Sequence, residues 1–480
     1  MAEIEQLGDE QERLSKAQDA LTYLVKNSSA IYASSALEQV FLDVAERLDD
    51  NGSNPTYVPS SFLHVISEAY TFGGHTRVVE RWISQAPTWE KHSVVLLRQN
   101  RREKNKIVQT SIPQSLVDSL ARKNGKLLNL SGFDDLNSRA LMLRKIAMEY
   151  EYIILHIHMD DPTALVAFGT TKFTRPVIFF NHADHAFWCG VSIADMVADL
   201  NQCGQKRSIE KRGIARSSIL GIPLDDHFPI FKDKNAARQK LGLPENKKLI
   251  FMSGSRRKFS SLGKNEFIKG LSNILTRLPH CSIYMVGPHR HDSGWNELAA
   301  QFTDRIRFRD PIGYHDGYID YVCSADLIID SYPINGGTAL IDASLAGKPV
   351  LSLKCDLGQS DYIVHSTAYC ENIKELEDKA ENILNNNDYA KTVAIEIQQK
   401  MLEEHSPQNW EKRKQCMLSA TPDRHAIYKI AKSVERPDIC DEDVLVALWH
   451  GGPNFYRTGL WKYFHRIGKS IRKRLSGFKG

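Results

Sequence analysis

The sequence predicts a doubly wound α/β protein with two parallel-sheet domains, a helical segment before them and a basic amphipathic tail after them. Three observations carry this. Short apolar runs of strand length alternate with helical stretches through most of the chain, as in parallel sheets whose crossovers are helices. Twice a strand runs through a glycine pair into a helix, at Gly73-Gly74 and at Gly336-Gly337. The 480 residues are 42% hydrophobic and 25% charged, an ordinary globular composition long enough for two or three separate cores.

Residues 1–55 read as two polar helices, Glu3 to Lys26 and Ser34 to Leu48, broken at Asn27-Ser28-Ser29. The first places Leu14, Ala17, Leu21, Leu24 and Val25 in one stripe, which predicts docking on a core or on another copy. Residues 56–224 form the first α/β domain. Its strands are expected at Ser61–Ile66, Ser93–Leu97, Leu127–Leu130, Tyr152–Ile157 and Val177–Asn181, with helices at Val78–Ser84, Pro113–Lys123, Asn137–Glu149 and Val191–Leu200. Ligands of such a sheet bind beyond its C-terminal strand ends. Gly73-Gly74-His75-Thr76-Arg77 lies at one such end, and His182, Asp184 and His185 lie at another. His156 has a core reading, whereas His158 and Asp160 sit near the end of their strand.

Residues 225–247 are charged, without a long apolar run, and read as a linker with a short helix. Residues 248–420 repeat the α/β pattern. Strands are expected at Leu249–Met252, Ser282–Val286, Ile306–Phe308, Ala325–Ile329 and Val350–Leu353, and helices at Asn265–Leu278, Gly317–Cys323 and through most of Ser366–Glu403. Another helix opens at Gly336-Gly337-Thr338, where Leu340, Ile341 and Leu345 take helical spacing before Gly347 and Pro349 stop it. Residues 421–480 are an extension ending in the tail.

The Gly336-Gly337 turn is either a tight turn alone or an anion site. Glycines let a ligand approach the backbone closely, and the N–H groups of Thr338 and Ala339, with the positive end of the helix dipole, suit a phosphate. Ser253-Gly254-Ser255-Arg256-Arg257-Lys258 is a basic, small-residue turn at another strand end. It is either a solvated charge run or a second source of positive charge, through Arg256 or Lys258. The cluster His182, Asp184 and His185 is a weak metal motif, because its members sit in one loop with no distant partner. A polar cleft wall is the preferred reading.

The eight cysteines form no C-x-x-C pair and lie mostly in apolar runs, which predicts reduced thiols and a cytoplasmic chain. The acidic start lacks the apolar core of a secretion signal, and no run is long enough to span a bilayer. Net charge is +4, yet residues 457–480 hold eight lysines and arginines and no acidic residue, leaving −4 for the remainder. In that tail Leu460, Trp461, Phe464, Ile467, Ile471 and Leu475 fall mainly at three- and four-residue steps, the pattern of an interfacial helix on an anionic membrane surface. With no other basic-aromatic cluster, nucleic acid is the least favoured partner.

The Asp330–Leu351 segment resembles the diphosphate-binding element of glycosyltransferases with the two-Rossmann GT-B fold. The likeness extends to the peptide O-N-acetylglucosaminyl transferases and to bacterial nucleotide-sugar enzymes. It implies two Rossmann-like domains facing across a cleft, a nucleotide-sugar donor as co-substrate without a metal or other cofactor, and a glycan, lipid-linked or protein acceptor. By the same resemblance Ser253, Gly254, Arg256, Lys258, Gly287, Asn335, Gly336, Gly337, Thr338 and Asp342 bind the donor. Gly73, Gly74 and Arg77 form the acceptor-side loop. Retaining members carry glutamates in an E-x7-E spacing, and here Ile334 and Asp342 occupy those positions, which favours inversion. Inverting members carry a base histidine in the loop after the first strand, which points to His75, with His182 or His185, oriented by Asp184, as the other candidates. A nucleotide-sugar epimerase of the same fold and a non-catalytic partner of an active transferase are the alternatives.

Overall fold

The computed structural model describes residues 9–26, 31–48, 56–71, 74–103, 106–224, 232–259, 264–313, 317–354, 363–424 and 427–430. Gly73 and the basic tail at 457–480 lie outside them. Contacts divide the chain into two units: residues 1–69, 86–220 and 415–480 form the first, and residues 70–85 and 221–414 the second.

In the first unit α1 (Glu10–Lys26) and α2 (Ser35–Arg47) precede strand β1 (Val58–Ile66). Beyond α3 (Gly74–Gln85), which groups with the second unit, come β2 (Lys91–Leu96) and a hairpin of β3 (Asn100–Glu103) and β4 (Lys106–Gln109). The chain continues through α4 (Gln114–Arg122), β5 (Leu127–Asn129), α5 (Leu136–Ala147), β6 (Tyr150–His156), α6 (Thr163–Phe168), β7 (Val177–Asn181), β8 (Met196–Asp199), α7 (Gln202–Arg212) and β9 (Ser217–Ile219). Seven strands make one sheet in the order β5-β2-β1-β6-β7-β8-β9, and every pairing is parallel.

One face of this sheet, through Leu63, Val65, Ile153, Leu155 and Phe179, joins Ala17, Leu21, Leu37 and Phe41 of α1 and α2 in a single apolar core. The amino-terminal helices are therefore part of the unit. Buried polar bonds fix them. Glu38 of α2 accepts the backbone N–H groups of Gly190 (2.7 Å), Val191 (3.0 Å) and Ser192 (2.8 Å). Buried Arg144 of α5 donates to the carbonyls of Ala45 (2.8 Å), Leu48 (3.0 Å) and Ala167 (2.6 Å), satisfying acceptors at helix ends. On the other face a polar seam crosses three strands. His64 Nδ1 lies 3.1 Å from His156 Nε2, and His64 Nε2 lies 3.0 Å from His92 Nδ1. His92 Nε2 in turn lies 3.1 Å from Glu90 Oε2. His156 is thus a core residue.

One expected element is wrong. Val191–Leu200 is not a helix: a 3-10 turn at Val191–Ile193 leads into strand β8. All four residues of β8 are buried, and a strand covered on both faces reads as a continuous apolar run that periodicity cannot separate from a helix.

After α3, the second unit continues with α8 (Lys234–Leu241), a short helix inside the stretch read as a linker with a short helix. Its Arg238 is buried and donates to Ser324 O (3.0 Å) and Asp326 Oδ2 (2.6 Å). Then follow β10 (Lys248–Ser253), α9 (Lys264–Arg277), β11 (Cys281–Val286), α10 (Trp295–Gln301), β12 (Ile306–Arg309), α11 (Tyr318–Ser324), β13 (Leu327–Ile329), α12 (Thr338–Leu345), β14 (Val350–Leu353), β15 (Tyr369–Cys370), α13 (Ile373–Asn385), α14 (Asn387–His405) and α15 (Pro407–Ala420). The six-stranded sheet, ordered β12-β11-β10-β13-β14-β15, is again parallel.

His405, closing α14, is buried with Nδ1 3.0 Å from Ile222 O. Burial pushes its pKa down from 6.5 to about 4, with the Ile222 carbonyl opposing and Arg413 reinforcing the shift. Between those values the unfolded chain takes up the proton and the folded chain does not. Its contribution is therefore complete above about pH 6.5 and falls by about 3 kcal/mol as pH drops to about 4. Melting curves from pH 7.5 to 5 should show a steeper loss for the wild type than for His405→Gln. Parallel pH profiles would show that this imidazole reaches solvent.

Candidate active site

The second sheet reverses its winding between β10 and β13, the place where an open α/β sheet takes its ligand. Two glycines there allow a close approach of loops. Gly287, after β11, has φ +122°, and a Cβ on it would lie 1.9 Å from the Gly254 carbonyl oxygen, so only glycine fits. A Cβ on Gly254 would lie 3.1 Å from Ser331 Cβ. Ser253 Oγ, at the end of β10, is 3.0 Å from the Tyr318 hydroxyl, whose pKa burial raises.

After β13 the chain is folded back by Asp330. Its Oδ1 accepts the N–H groups of Ser331 and Gly336, both at 2.8 Å, and its Oδ2 accepts Asn335 Nδ2 and Ser352 Oγ, both at 3.1 Å. Burial raises the Asp330 pKa, while the Gly336 N–H and nearby Lys258 pull it back. A Cβ on Gly336 would come within 2.8 Å of Asp330 Oδ1, so the glycine is required by the turn itself. Lys258 Nζ donates to the Asn335 carbonyl at 2.8 Å and brings positive charge to the turn. Helix α12 then starts at Thr338, with Gly337 as an N-cap that supplies no side-chain hydrogen bond. First-turn N–H groups have no partner inside their own helix, and here they stand at the positive end of the dipole, where an anion binds.

Helix α3 starts beside it, in the same unit. A Cβ on Gly74 would lie 3.0 Å from Thr338 Oγ1. Two helix N-termini therefore share one corner, and His75 is in the first turn of α3, half-buried. One turn further on, Arg77 and Arg81 bind Asp342 of α12. Arg77 Nη1 and Nη2 lie 3.0 and 3.3 Å from its oxygens, and Arg81 Nη2 lies 2.8 Å away. Burial alone would raise the Asp342 pKa, but the two guanidiniums hold it below the usual carboxylate range.

These contacts change several expected roles. Gly74 and Arg77, expected in a loop, belong to α3, which begins at Gly74 rather than Val78, because Thr76 Oγ1 accepts the Tyr70 N–H at 2.9 Å and closes the entry turn. Asp342 and Asn335, expected to bind the donor, are committed inside the protein. Asp342 faces two arginines, and Asn335 Nδ2 also donates to Ser352 Oγ at 2.6 Å. Arg256 is an exposed surface residue with Nε 3.0 Å from Asp292 Oδ2, which is the charge-run reading. Gly337, Thr338, Gly74, His75 and Lys258 gather around one corner. Asp330 and Arg81, which sequence reasoning did not assign to the site, are the residues that build it.

His182, Asp184 and His185 belong to the first unit. His185 Nδ1 is 3.3 Å from Asp184 Oδ1, so the carboxylate can orient the ring. Asp184 also pairs with Arg207, and that charge holds its pKa down against the opposing effect of burial. Among the described residues no group of three or more His, Cys, Asp or Glu is placed to hold a metal ion, and no helix is long and apolar enough to cross a membrane.

Two Rossmann-like domains with a glycine turn at the second switch point make the GT-B fold, and solved structures carry the same architecture. A glycosyltransferase from Rickettsia africae aligns with TM-score 0.55 at 13% identity, covering 76% of this chain and 99% of that one. HepE of Anabaena, solved in complex with UDP-glucose, aligns with TM-score 0.56 at 15% identity, covering 75% and 99%. WaaG, a glycosyltransferase involved in lipopolysaccharide biosynthesis, gives 0.50 at 15% identity, covering 74% and 99%. At such identities the likeness shows the fold. No protein-family model matches the chain. Among curated proteins, it is 28% identical over 148 residues to lipid-A-disaccharide synthase of Paraburkholderia phymatum, across 31% of this chain and 36% of that protein. It is 24% identical over 129 residues to a GDP-mannose-dependent monoacylated α-(1-6)-phosphatidylinositol monomannoside mannosyltransferase of Corynebacterium glutamicum, across 25% and 33%. These matches span about a third of either relative's length.

Proposed function

We propose that the chain is a glycosyltransferase that moves a hexosyl or N-acetylhexosaminyl group from a nucleotide sugar to a glycan or lipid-linked acceptor, with inversion and without a metal. The observation that carries this reading is the corner where α12 and α3 begin side by side around Gly337, Thr338 and Gly74. Backbone N–H groups, two helix dipoles and Lys258 offer positive potential where a leaving diphosphate gathers charge. The curated relatives support a lipid-linked acceptor, since both are by name enzymes of lipid-borne saccharides.

In this reaction the acceptor oxygen attacks the anomeric carbon as the bond to the diphosphate breaks, and a base takes the acceptor proton. His75, at the first turn of α3, is the proposed base. His75→Ala should lower turnover by about 10²–10⁴-fold while the melting shift caused by the nucleotide sugar persists. Nuclear magnetic resonance of the product should show the opposite anomeric configuration to the donor. A retained configuration would remove both the base and the inverting mechanism.

The tail at 457–480 is proposed to hold the enzyme on an anionic membrane surface. Its apolar stripe supplies insertion, and each of its eight positive charges supplies up to about 1 kcal/mol near an anionic leaflet. Deleting it should abolish co-sedimentation with phosphatidylglycerol vesicles and leave turnover of a water-soluble acceptor unchanged. Equal sedimentation of full-length and truncated protein at low and moderate salt would assign the tail another role.

A further inference from the structure

A cavity of about 540 Å³ lies within the first unit, beside the C-terminal ends of its own strands. That volume falls within the roughly 300–1,000 Å³ of small-ligand sites. One wall is α1, which turns Gln11, Ser15, Gln18 and Thr22 toward the cavity at helical steps. The neighbouring stripe of the same helix, with Ala17 and Leu21, is buried in the core. Of these four, Gln18 and Thr22 are half-buried, and Gln11 and Ser15 stand exposed at the mouth.

The floor of the cavity is fixed by buried Asp161, just beyond β6. It accepts Ser67 Oγ (2.6 Å) from beyond β1 and Thr163 Oγ1 (2.7 Å), and Arg98 Nε lies 3.0 Å from it. Arg98 Nη2 also reaches Asp160 Oδ1 at 3.1 Å. β1 and β6 are the strands between which this sheet reverses its winding, so the cavity stands where a doubly wound sheet takes a ligand. At the start of α5, Asn137 Oδ1 and Arg139 Nε are buried without a hydrogen-bond partner. Asn137 and Arg139 both line the cavity, an amide and a guanidinium that between them can donate to and accept from a ligand.

The lining narrows the class of that ligand. Asp134, Asp135, Asp160 and Asp161 outnumber Arg98 and Arg139, which disfavours a phosphate, and among the described residues no aromatic ring lines the cavity to stack on a base. Carboxylates, amides and hydroxyls in one pocket match the adjacent hydroxyls of a sugar. We propose that this pocket binds a short saccharide with α1 as one of its walls, and, resting on the glycosyltransferase reading above, that the saccharide is part of the acceptor.

The test uses the full chain and two kinds of probe. Saturation-transfer nuclear magnetic resonance with N,N′-diacetylchitobiose, lactose and α-1,6-mannobiose reads the pocket, and melting shifts with UDP-glucose, UDP-N-acetylglucosamine and GDP-mannose read the donor site. At least one disaccharide should bind. Gln18→Trp, which fills the cavity, and Asn137→Ala, which removes the lining amide, should each weaken that binding by about tenfold or more with donor shifts unchanged. No disaccharide signal from a protein that a nucleotide sugar stabilises would overturn the pocket and leave the glycosyltransferase reading intact. Saccharide binding with no donor shift would do the reverse. Undiminished binding in both variants, or its displacement by spermidine, would also overturn the proposal, placing the saccharide elsewhere or making the pocket a site for cationic amines.

Discussion

Asp342→Ala is expected to destabilise the second unit by about 3–5 kcal/mol, because it removes a buried carboxylate shared by two guanidiniums rather than deleting a surface pair. The Arg81 and Asp342 side chains are only 2% and 3% exposed, and Arg77 is 16% exposed. Arg81 also lies 3.5 Å from Pro223 O, a contact too long to replace the carboxylate. For a unit of this size the loss corresponds to a fall of roughly 6–20 °C in its calorimetric transition. Adding Arg81→Met should recover part of the loss, since an apolar chain of similar length needs no counter-charge. The pair also joins α3 to α12 one turn below their starts, so the donor-induced melting shift should shrink as well. A transition within about 1 °C of wild type would mean that water reaches these arginines and that the contact is an ordinary surface ion pair.

The sequence was most legible where local chemistry alone decides the structure. Gly336-Gly337 followed by Leu340 and Ile341 at helical spacing predicts α12 to within a residue, and the apolar runs of β7 and β14 match the observed strands. Legibility failed where tertiary burial decides. β8 is apolar on both faces and was indistinguishable from a helix. α7 carries no apolar stripe and is held instead by Asn201, which accepts the Gly204 N–H at 2.8 Å, by left-handed Gly213 at its end, and by Arg207 against Asp184. Those two cap residues were visible in the sequence and could have located it.

The site shows the same division. That glycines would frame it follows from the sequence, but which polar residues face a ligand and which face the protein does not. Arg81 acquires a role only once α3 starts at Gly74, so that residues 77 and 81 share a face. Asp330 acquires one only once the chain doubles back to bring Gly336, Asn335 and Ser352 onto its two oxygens. The expected donor residues Asn335 and Asp342 turn out to hold the glycine turn and its helix in place.

Gly337→Val is expected to abolish donor binding in a protein that still folds. The residue has φ −83° and ψ −90°, outside the left-handed region, so no glycine is demanded by its φ. Among the described residues a Cβ there meets only Ile222 Cδ1, at 3.6 Å, an ordinary contact. Replacing a glycine N-cap by valine should therefore lower stability by about 1 kcal/mol, a few degrees in the transition of the second unit. The ligand side is different, because a β-branched side chain at the cap screens the first-turn N–H groups from a phosphate. Losing two charge-assisted hydrogen bonds, each worth about 1.5–3 kcal/mol, weakens binding by more than about 100-fold. Gly336→Ala provides the contrast. Its Cβ would press on Asp330 Oδ1 at 2.8 Å, so the turn itself should distort and stability and binding should fall together. Calorimetric titration with UDP and GDP separates the two variants, and an unchanged affinity in folded Gly337→Val would place the diphosphate somewhere other than the start of α12.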